Sequence, residues 1–319
     1  MDNLCFCMDC FNSFCAIKLL LNRFNISIIS AINMKQVSVL IFAAAIFPSL
    51  SSCSKGHEHS NSTTQLVFVF KFDSTQERLN NIGLPDAIPA GNSGQSPSFN
   101  TMSSHYVELA PNAFTALGSG DVLYRAAEVT TGGSNAIDFS KSVLAKEGET
   151  FLSVPLDEIT PGTYQYLRVS LAYQNYGIKF NVLGQDLTGT VASFIGFNTY
   201  ISNYKIKDST VAVNANRLQG YWGLETAYGV FSGDAPATTV PNPIASTSPI
   251  PAGSCVVTGP FTTPLTITGN ETKDIKVTVS LSINKSFEWK DQNLNGIFEP
   301  LDGDSVVNMG IRGLIPTTQ

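Results

Sequence analysis

The chain has 319 residues, of which 43% are hydrophobic and 14% charged, with a formal net charge of −6. That balance excludes general disorder, and the acidic charge argues against nucleic acid as a partner, since no basic face is available to neutralise phosphates. Few charges together with 25 Gly, 16 Pro and 20 Phe favour an exported, mostly β protein over a helical one.

Cys5, Cys7, Cys10 and Cys15 crowd the first residues without the histidines or second CxxC of a zinc site. Met34-Lys35-Gln36 opens a compact signal, continued by the apolar run from Val37 to Leu50 and then by Leu50-Ser51-Ser52-Cys53. Met1 to Asn33 (residues 1–33) would make that signal unusually long, so Met34 is the expected translation start. The run is short for a bilayer span and leads directly into small residues and a cysteine. These last four residues resemble the lipobox of bacterial lipoproteins. The resemblance implies a signal peptide over residues 34–52, lipid on Cys53, and a membrane as the partner that this lipid meets. An ordinary secretory signal containing a cysteine is the competing reading. Ser54, where an Asp would resemble the inner-membrane retention signal, points to the outer membrane of the cell envelope, with its face left open. Cys255 then has no intramolecular disulfide partner.

Residues 53–64 read as a flexible polar tether. Gln65 to Phe72 is a strand apolar on both faces, expected at the centre of a sheet. Asn80 to Ser98 is a loop, His105 to Leu109 a short strand, and Ala136 to Lys146 a brief helix capped by Asn135. Thr163 to Tyr173 alternates as a half-buried strand after the Pro161-Gly162 turn. Ile178–Val182 and Leu187–Phe194 flank a hairpin connection at Leu183-Gly184-Gln185-Asp186, and a second hairpin turns around Asp208-Ser209. Arg217 to Phe231 is one bent strand or two short ones. Residues 234–253 form a Pro-rich loop that cannot be a central strand. Asp274 to Trp289 is the clearest alternation, with Ile275, Val277, Val279, Leu281 and Ile283 on one face. Together these elements predict a single mostly β domain over residues 65–319, an antiparallel β-sandwich or jelly-roll-like fold with few short helices.

The strongest chemical signal is Asp291-Gln292-Asn293-Leu294-Asn295-Gly296-Ile297. Oxygen side chains at alternate positions followed by glycine resemble the start of an EF-hand-like calcium loop, because a hard cation needs several oxygens converging from one tight turn. Asp291, Asn293 and Asn295 would give side-chain oxygens, Ile297 its carbonyl, and Asp302 the closing carboxylate, with Glu299 and Asp304 as alternatives. A strand rather than a helix leads in, and Pro300 stands inside. The resemblance is therefore to calcium loops in turns of exported β-proteins, with a structural role. A polar Asn-Gly turn without metal is the competing reading.

His57 and His59 on the tether could take up copper or zinc, loosely unless His105 or a partner completes the site. Tyr164, Tyr166, Tyr173, Tyr176, Tyr221, Trp222 and Tyr228 could line a sugar-binding face, but their alternation suits core packing better. No Gly-x-Ser-x-Gly elbow, HExxH or Walker loop occurs. The expectation is a lipid-anchored cell-envelope binding or scaffold protein with a protein or glycan partner, more a non-enzyme than an enzyme. The alternatives are a copper- or zinc-handling envelope lipoprotein and, third, a carbohydrate-active enzyme.

Overall fold

The computed structural model describes residues 63–236 and 248–319. Cys53, His57, His59 and the signal lie outside the described residues, as does the middle of the Pro-rich loop. The strands are β1 (Gln65–Asp73), β2 (Asn92–Gln95), β3 (Ser98–Ala110), β4 (Asp121–Arg125), β5 (Glu128–Val129), β6 (Ala136–Asp138), β7 (Thr150–Pro155), β8 (Gly162–Val182) and β9 (Gln185–Phe194). They continue as β10 (Asn198–Lys205), β11 (Thr210–Leu218), β12 (Tyr221–Thr226), β13 (Gly229–Asp234), β14 (Cys255–Ile267), β15 (Ile275–Ser282), β16 (Phe287–Lys290), β17 (Ser305–Asn308) and β18 (Leu314–Thr318). Among the described residues the helical elements are two short 3-10 turns. The mostly β, sandwich-like expectation is met.

β8 is the spine, with 21 residues. One of its edges pairs with β3, while the other is shared by β14, opposite Gly162 to Leu171, and β9, opposite Tyr173 to Val182. β12 and β13 extend the sheet beyond β9, and β4 extends it beyond β3. Leu167, Val169 and Leu171 of β8 bury against Phe68, Phe70, Val277 and Val279 of the sheet ordered β18-β15-β1-β7. Tyr176, Ile178 and Phe180 of the same strand bury instead with Phe287, Trp289 and Phe298, beside the three-stranded β17-β16-β2 sheet. Phe99 joins the two cores, its ring 5.0 Å from both Phe72 and Tyr176. The sheet ordered β11-β10-β6-β5 brings Ile201, Tyr204 and Ile206 onto Tyr173, Phe194 and Tyr221.

The buried side chains of β8 change from odd to even numbers along its length because its pairing with β3, which slips three times in all, includes a bulge on β8 itself at Ala172. Ser103 faces Tyr173, Ser104 faces Leu171, and Tyr106 faces Ser170, leaving Ala172 and His105 as extra residues. Each bulge shifts the period-two alternation by one residue and moves later side chains to the other face. For this reason the sequence reads as two strands where the molecule has one.

Other expectations are refined. β1 is central, but its pairing with β15 is parallel and that with β7 antiparallel. The alternation from Asp274 to Trp289 is two strands in different sheets, separated by a turn in which Lys285 has φ 47. Ala136 to Lys146 is no brief helix. Ala136 and Ile137 are fully buried and paired with β5 and β10, and burial of both in the sheet overrides any local helical preference. Only Phe139–Lys141 turns, as a 3-10 element capped by the Asp138 carboxylate, not by Asn135. Arg217 to Phe231 resolves into the end of β11 and the β12–β13 hairpin.

The β8–β9 turn has Leu183 at φ 52 and Gly184 at φ 77, both in the left-handed region that a type I′ turn requires. Glycine adopts this freely, whereas leucine meets a steric penalty and buries little here, being 77% exposed. Leu183→Asn is expected to raise stability by about 0.5–1 kcal/mol, seen as a melting temperature higher by about 1–4 °C. An unchanged or lower melting temperature would contradict the turn assignment.

His105, on its bulge, is fully buried, and its Nε2 lies 2.9 Å from Glu128 Oε1 on β5, tying the spine sheet to its neighbour. Its Nδ1 is buried without a partner. Burial lowers the imidazole's pKa below its ordinary value, only partly opposed by the Glu128 carboxylate. The folded state therefore favours the neutral ring, and that contribution is present above the unfolded-state value and lost as pH falls below it. The melting temperature should decline from pH 7 towards pH 5, and His105→Gln should flatten that decline. Equal slopes for both proteins would remove His105 as the cause.

Candidate metal loop and its surroundings

β16 delivers the chain into the loop beginning at Asp291, so a strand does lead in. Asp291 is 3% exposed, unusual for a carboxylate, and its Oδ2 accepts from Ser93 Oγ and Gly296 N, both at 2.8 Å. Burial works to raise its pKa, but bonds from Ser93 and the amides of Gly296, Leu294 and Asn295 outweigh burial and hold the carboxyl below its usual range. Its other oxygen, Oδ1, is buried without a hydrogen-bond partner.

Asn293 Oδ1 accepts from Asn295 N at 3.1 Å and Asn295 Oδ1 from Ile297 N at 2.7 Å, two successive side-chain turns that curl the loop. Both amide nitrogens then donate to Glu299 Oε2, at 2.8 and 2.7 Å. Leu294, 72% exposed, is held at φ 59, and Gly296 at φ 77. Asp304 is buried and closes the loop from its far end, accepting from Gln292 N at 2.9 Å and Glu299 N at 2.8 Å. Asp302 is exposed at the rim, its N–H donating to Glu299 O at 3.0 Å.

Asn293 and Asn295 thus gather on Glu299, Asp291 holds Ser93 and the Gly296 amide, Asp302 stands outside and Asp304 pins the backbone. Among the described residues no three His, Cys, Asp or Glu side chains form a ready metal cage. A cation here would therefore rely on amide and carbonyl oxygens beside the carboxylates. The residues fit such an ion in two respects. Asp291 Oδ1 is a buried anion oxygen lacking a donor, and each Asn Oδ1 keeps a second lone pair beyond its turn bond.

Several buried charges escape sequence reasoning because their partners lie far apart along the chain. Glu288, just before the loop, accepts from Arg78 Nη2 at 2.7 Å, Arg312 Nη2 at 3.0 Å and Asn92 Nδ2 at 2.8 Å. Arg78 also donates to the carbonyls of Asn284 and Lys285. On the spine, Glu108 faces Arg168 across the β3–β8 ladder and takes the amides of Gly118 and Gly120. Tyr164, Tyr173, Tyr176 and Tyr221 are core residues and Tyr166 and Trp222 are half-buried, leaving Tyr228 as the strongly exposed member of the group. Burial pushes the Cys255 thiol up to about 12, so it is not a nucleophile at neutral pH.

Asp291→Ala removes an ionised acceptor from two bonds and several loop amides. Without any metal added, it should cost about 2 kcal/mol in denaturant unfolding. A change near zero would mean that the carboxylate does not organise the turn. Comparison with known protein families, with curated proteins and with solved structures returns no match for this chain.

Proposed function

We propose that this chain is a bacterial lipoprotein, held on a membrane of the cell envelope by lipid on Cys53, whose β domain binds or scaffolds a partner and carries a structural calcium ion in the Asp291–Asp304 loop. The observation that carries the anchor is the apolar run ending in Leu50-Ser51-Ser52-Cys53. The order of segments supports it, since the first strand of the domain starts at Gln65, a short polar tether beyond that cysteine. Calcium is supported by the unpartnered Asp291 Oδ1 and, in the same loop, by Asn293 and Asn295 gathered on Glu299. Bound there, calcium would draw on Asp291 and the two Asn oxygens, with the Ile297 carbonyl and Glu299 or an acid of the 302–304 segment completing the shell. It would brace the connection between β16 and β17. Few of these ligands are charged, so the affinity belongs to the weak end of the calcium range, around 10⁻⁴–10⁻³ M.

Two measurements test this reading separately. Radiolabelled palmitate should be incorporated by the wild-type protein expressed in a Gram-negative host, which should partition into detergent, and Cys53→Ala should lose both. Label retained on that variant would end the anchor assignment. Calcium at a hundredfold excess over its dissociation constant should stabilise the domain by about 2.7 kcal/mol, reversed by chelator and absent in Asp291→Ala. No calcium-dependent shift would leave a plain Asn-Gly turn. Stoichiometric copper or zinc lost on changing His57 and His59 would favour metal handling instead.

A further inference from the structure

Among the described residues, four other than glycine hold a left-handed backbone, and two of them are leucines, Leu183 at φ 52 and Leu294 at φ 59. Leucine meets a steric penalty in this region that glycine and asparagine largely avoid. Both side chains also face solvent, 77% and 72% exposed, so burial does not offset the penalty in either. The two loops that carry them meet at the end of β8. Asn181, two residues before Leu183, donates its N–H to the carbonyl of Phe298, four residues after Leu294, at 2.8 Å. Ile297, 44% exposed, adds a third apolar side chain to the second loop. Backbone preference and exposure both count against leucine at these two places, and turns alone would be better served by Asn. What the leucines stabilise lies outside the chain.

The polar groups around them are already paired within the loops. Gly184 N donates to Asn181 Oδ1 at 2.9 Å, and Asn181 Nδ2 to Asp186 Oδ1 at 2.8 Å. In the second loop Asn293, Asp291 and Asn295 take the amides of Asn295, Gly296 and Ile297, and Glu299 takes both asparagine side-chain nitrogens. A hydrogen-bonding protein partner would find few free donors here. A medium without water makes the opposite demand, since an amide entering it must bring its own acceptor. Residues 181–186 and 291–304 contain neither Lys nor Arg, while Asp186 and Asp302 are exposed. Anionic headgroups would be repelled by these carboxylates, so a zwitterionic surface is the better match.

We propose that these two loops form a membrane-contacting tip, with Leu183, Leu294 and Ile297 entering the interface of a bilayer rich in zwitterionic phospholipid. The tip lies away from the segment that leads to Cys53. Thr64 O accepts from Leu156 N, six residues before β8 begins, whereas the tip follows the end of that strand. This names a partner for the binding domain proposed above, and it requires neither lipid on Cys53 nor a bound calcium ion.

The experiment returns the detergent-purified full chain to phosphatidylcholine vesicles, with chelator present throughout. Ile297→Trp places a fluorescent reporter in the second loop, and Leu218→Trp places one on a side chain 69% exposed at the end of β11. Brominated acyl chains should quench the added fluorescence of Ile297→Trp and leave that of Leu218→Trp unchanged. Leu183→Asn and Leu294→Asn, each introduced into the Ile297→Trp chain, should lower the ratio of inserted to free tip about tenfold. Both substitutions suit a left-handed backbone, so the melting temperature should not fall. Where Ile297→Trp does not fold, Leu294→Trp with and without Leu183→Asn gives the same comparison. Quenching no stronger than that of Leu218→Trp would overturn the proposal, and so would quenching that survives both Asn substitutions. The palmitate and calcium measurements read other groups, so failure here leaves those two readings standing.

Discussion

A strand of 21 residues cannot be buried unless both of its edges are hydrogen-bonded along their whole length, and β8 imposes that requirement on the domain. On one side β3 meets it opposite Tyr166 to Gly177, and beyond that the Gln95 side chain and the Phe298 carbonyl take backbone groups of Lys179 and Asn181. On the other side the requirement is shared, with β14 covering the first half and β9 the second. The two halves then face different partners. Leu167 to Leu171 pack on the sheet containing β1 and β15, and Tyr176 to Phe180 pack on Phe287, Trp289 and Phe298. The bulges at Ala172 and His105 let one strand serve both, since a strand with unbroken alternation would turn one half outward.

Polar burial obeys the same geometry. Where the long strands leave their sheets, the connecting loops must satisfy their own backbone groups, and carboxylates do much of this. Glu108 collects the amides of Gly118 and Gly120, Glu225 those of Lys207, Asp208 and Ser209, and Asp304 those of Gln292 and Glu299. Glu288 instead collects two arginines and an asparagine from distant segments. The loop at Asp291 belongs to this series but differs in one respect. Its carboxylate has an oxygen left over.

Local features are legible in the sequence, and long-range ones are not. The central place of β1, the Leu183-Gly184 and Asp208-Ser209 hairpins, and the strand entering the acidic loop all come from short-range pattern and turn chemistry. The single β8 is hidden because its bulges reset the alternation that signals a strand. The break at Lys285 is hidden because the apolar pattern runs through it. In the loop, the tight polar turn is accessible from spacing, whereas the bonding of the Asn293 and Asn295 amide nitrogens to Glu299 and the burial of Asp304 rather than Asp302 depend on how the turn at Glu299 closes. Arg78 and Glu288, 210 residues apart, carry no sequence signal at all.

The parallel pairing of β1 with β15 also bears on the order of assembly. Gln65 N is bonded to Asp274 Oδ1 across 209 residues, and the ladder continues from Leu66–Ile275 to Asp73–Ser282. β1 is the first strand of the domain to emerge whenever the chain is delivered from its N-terminus, yet one of its two neighbours arrives near the end. Until then Phe68, Phe70 and Phe72 lie on a strand with an open edge, the state most prone to pairing with another chain. Closing so large a loop also makes folding slow, because chain entropy is lost before the contact contributes any stability. The architecture thus ties the hazard of the earliest segment to the arrival of the latest, and a chaperone that shelters residues 65–73 would act on the most exposed interval of this domain's life.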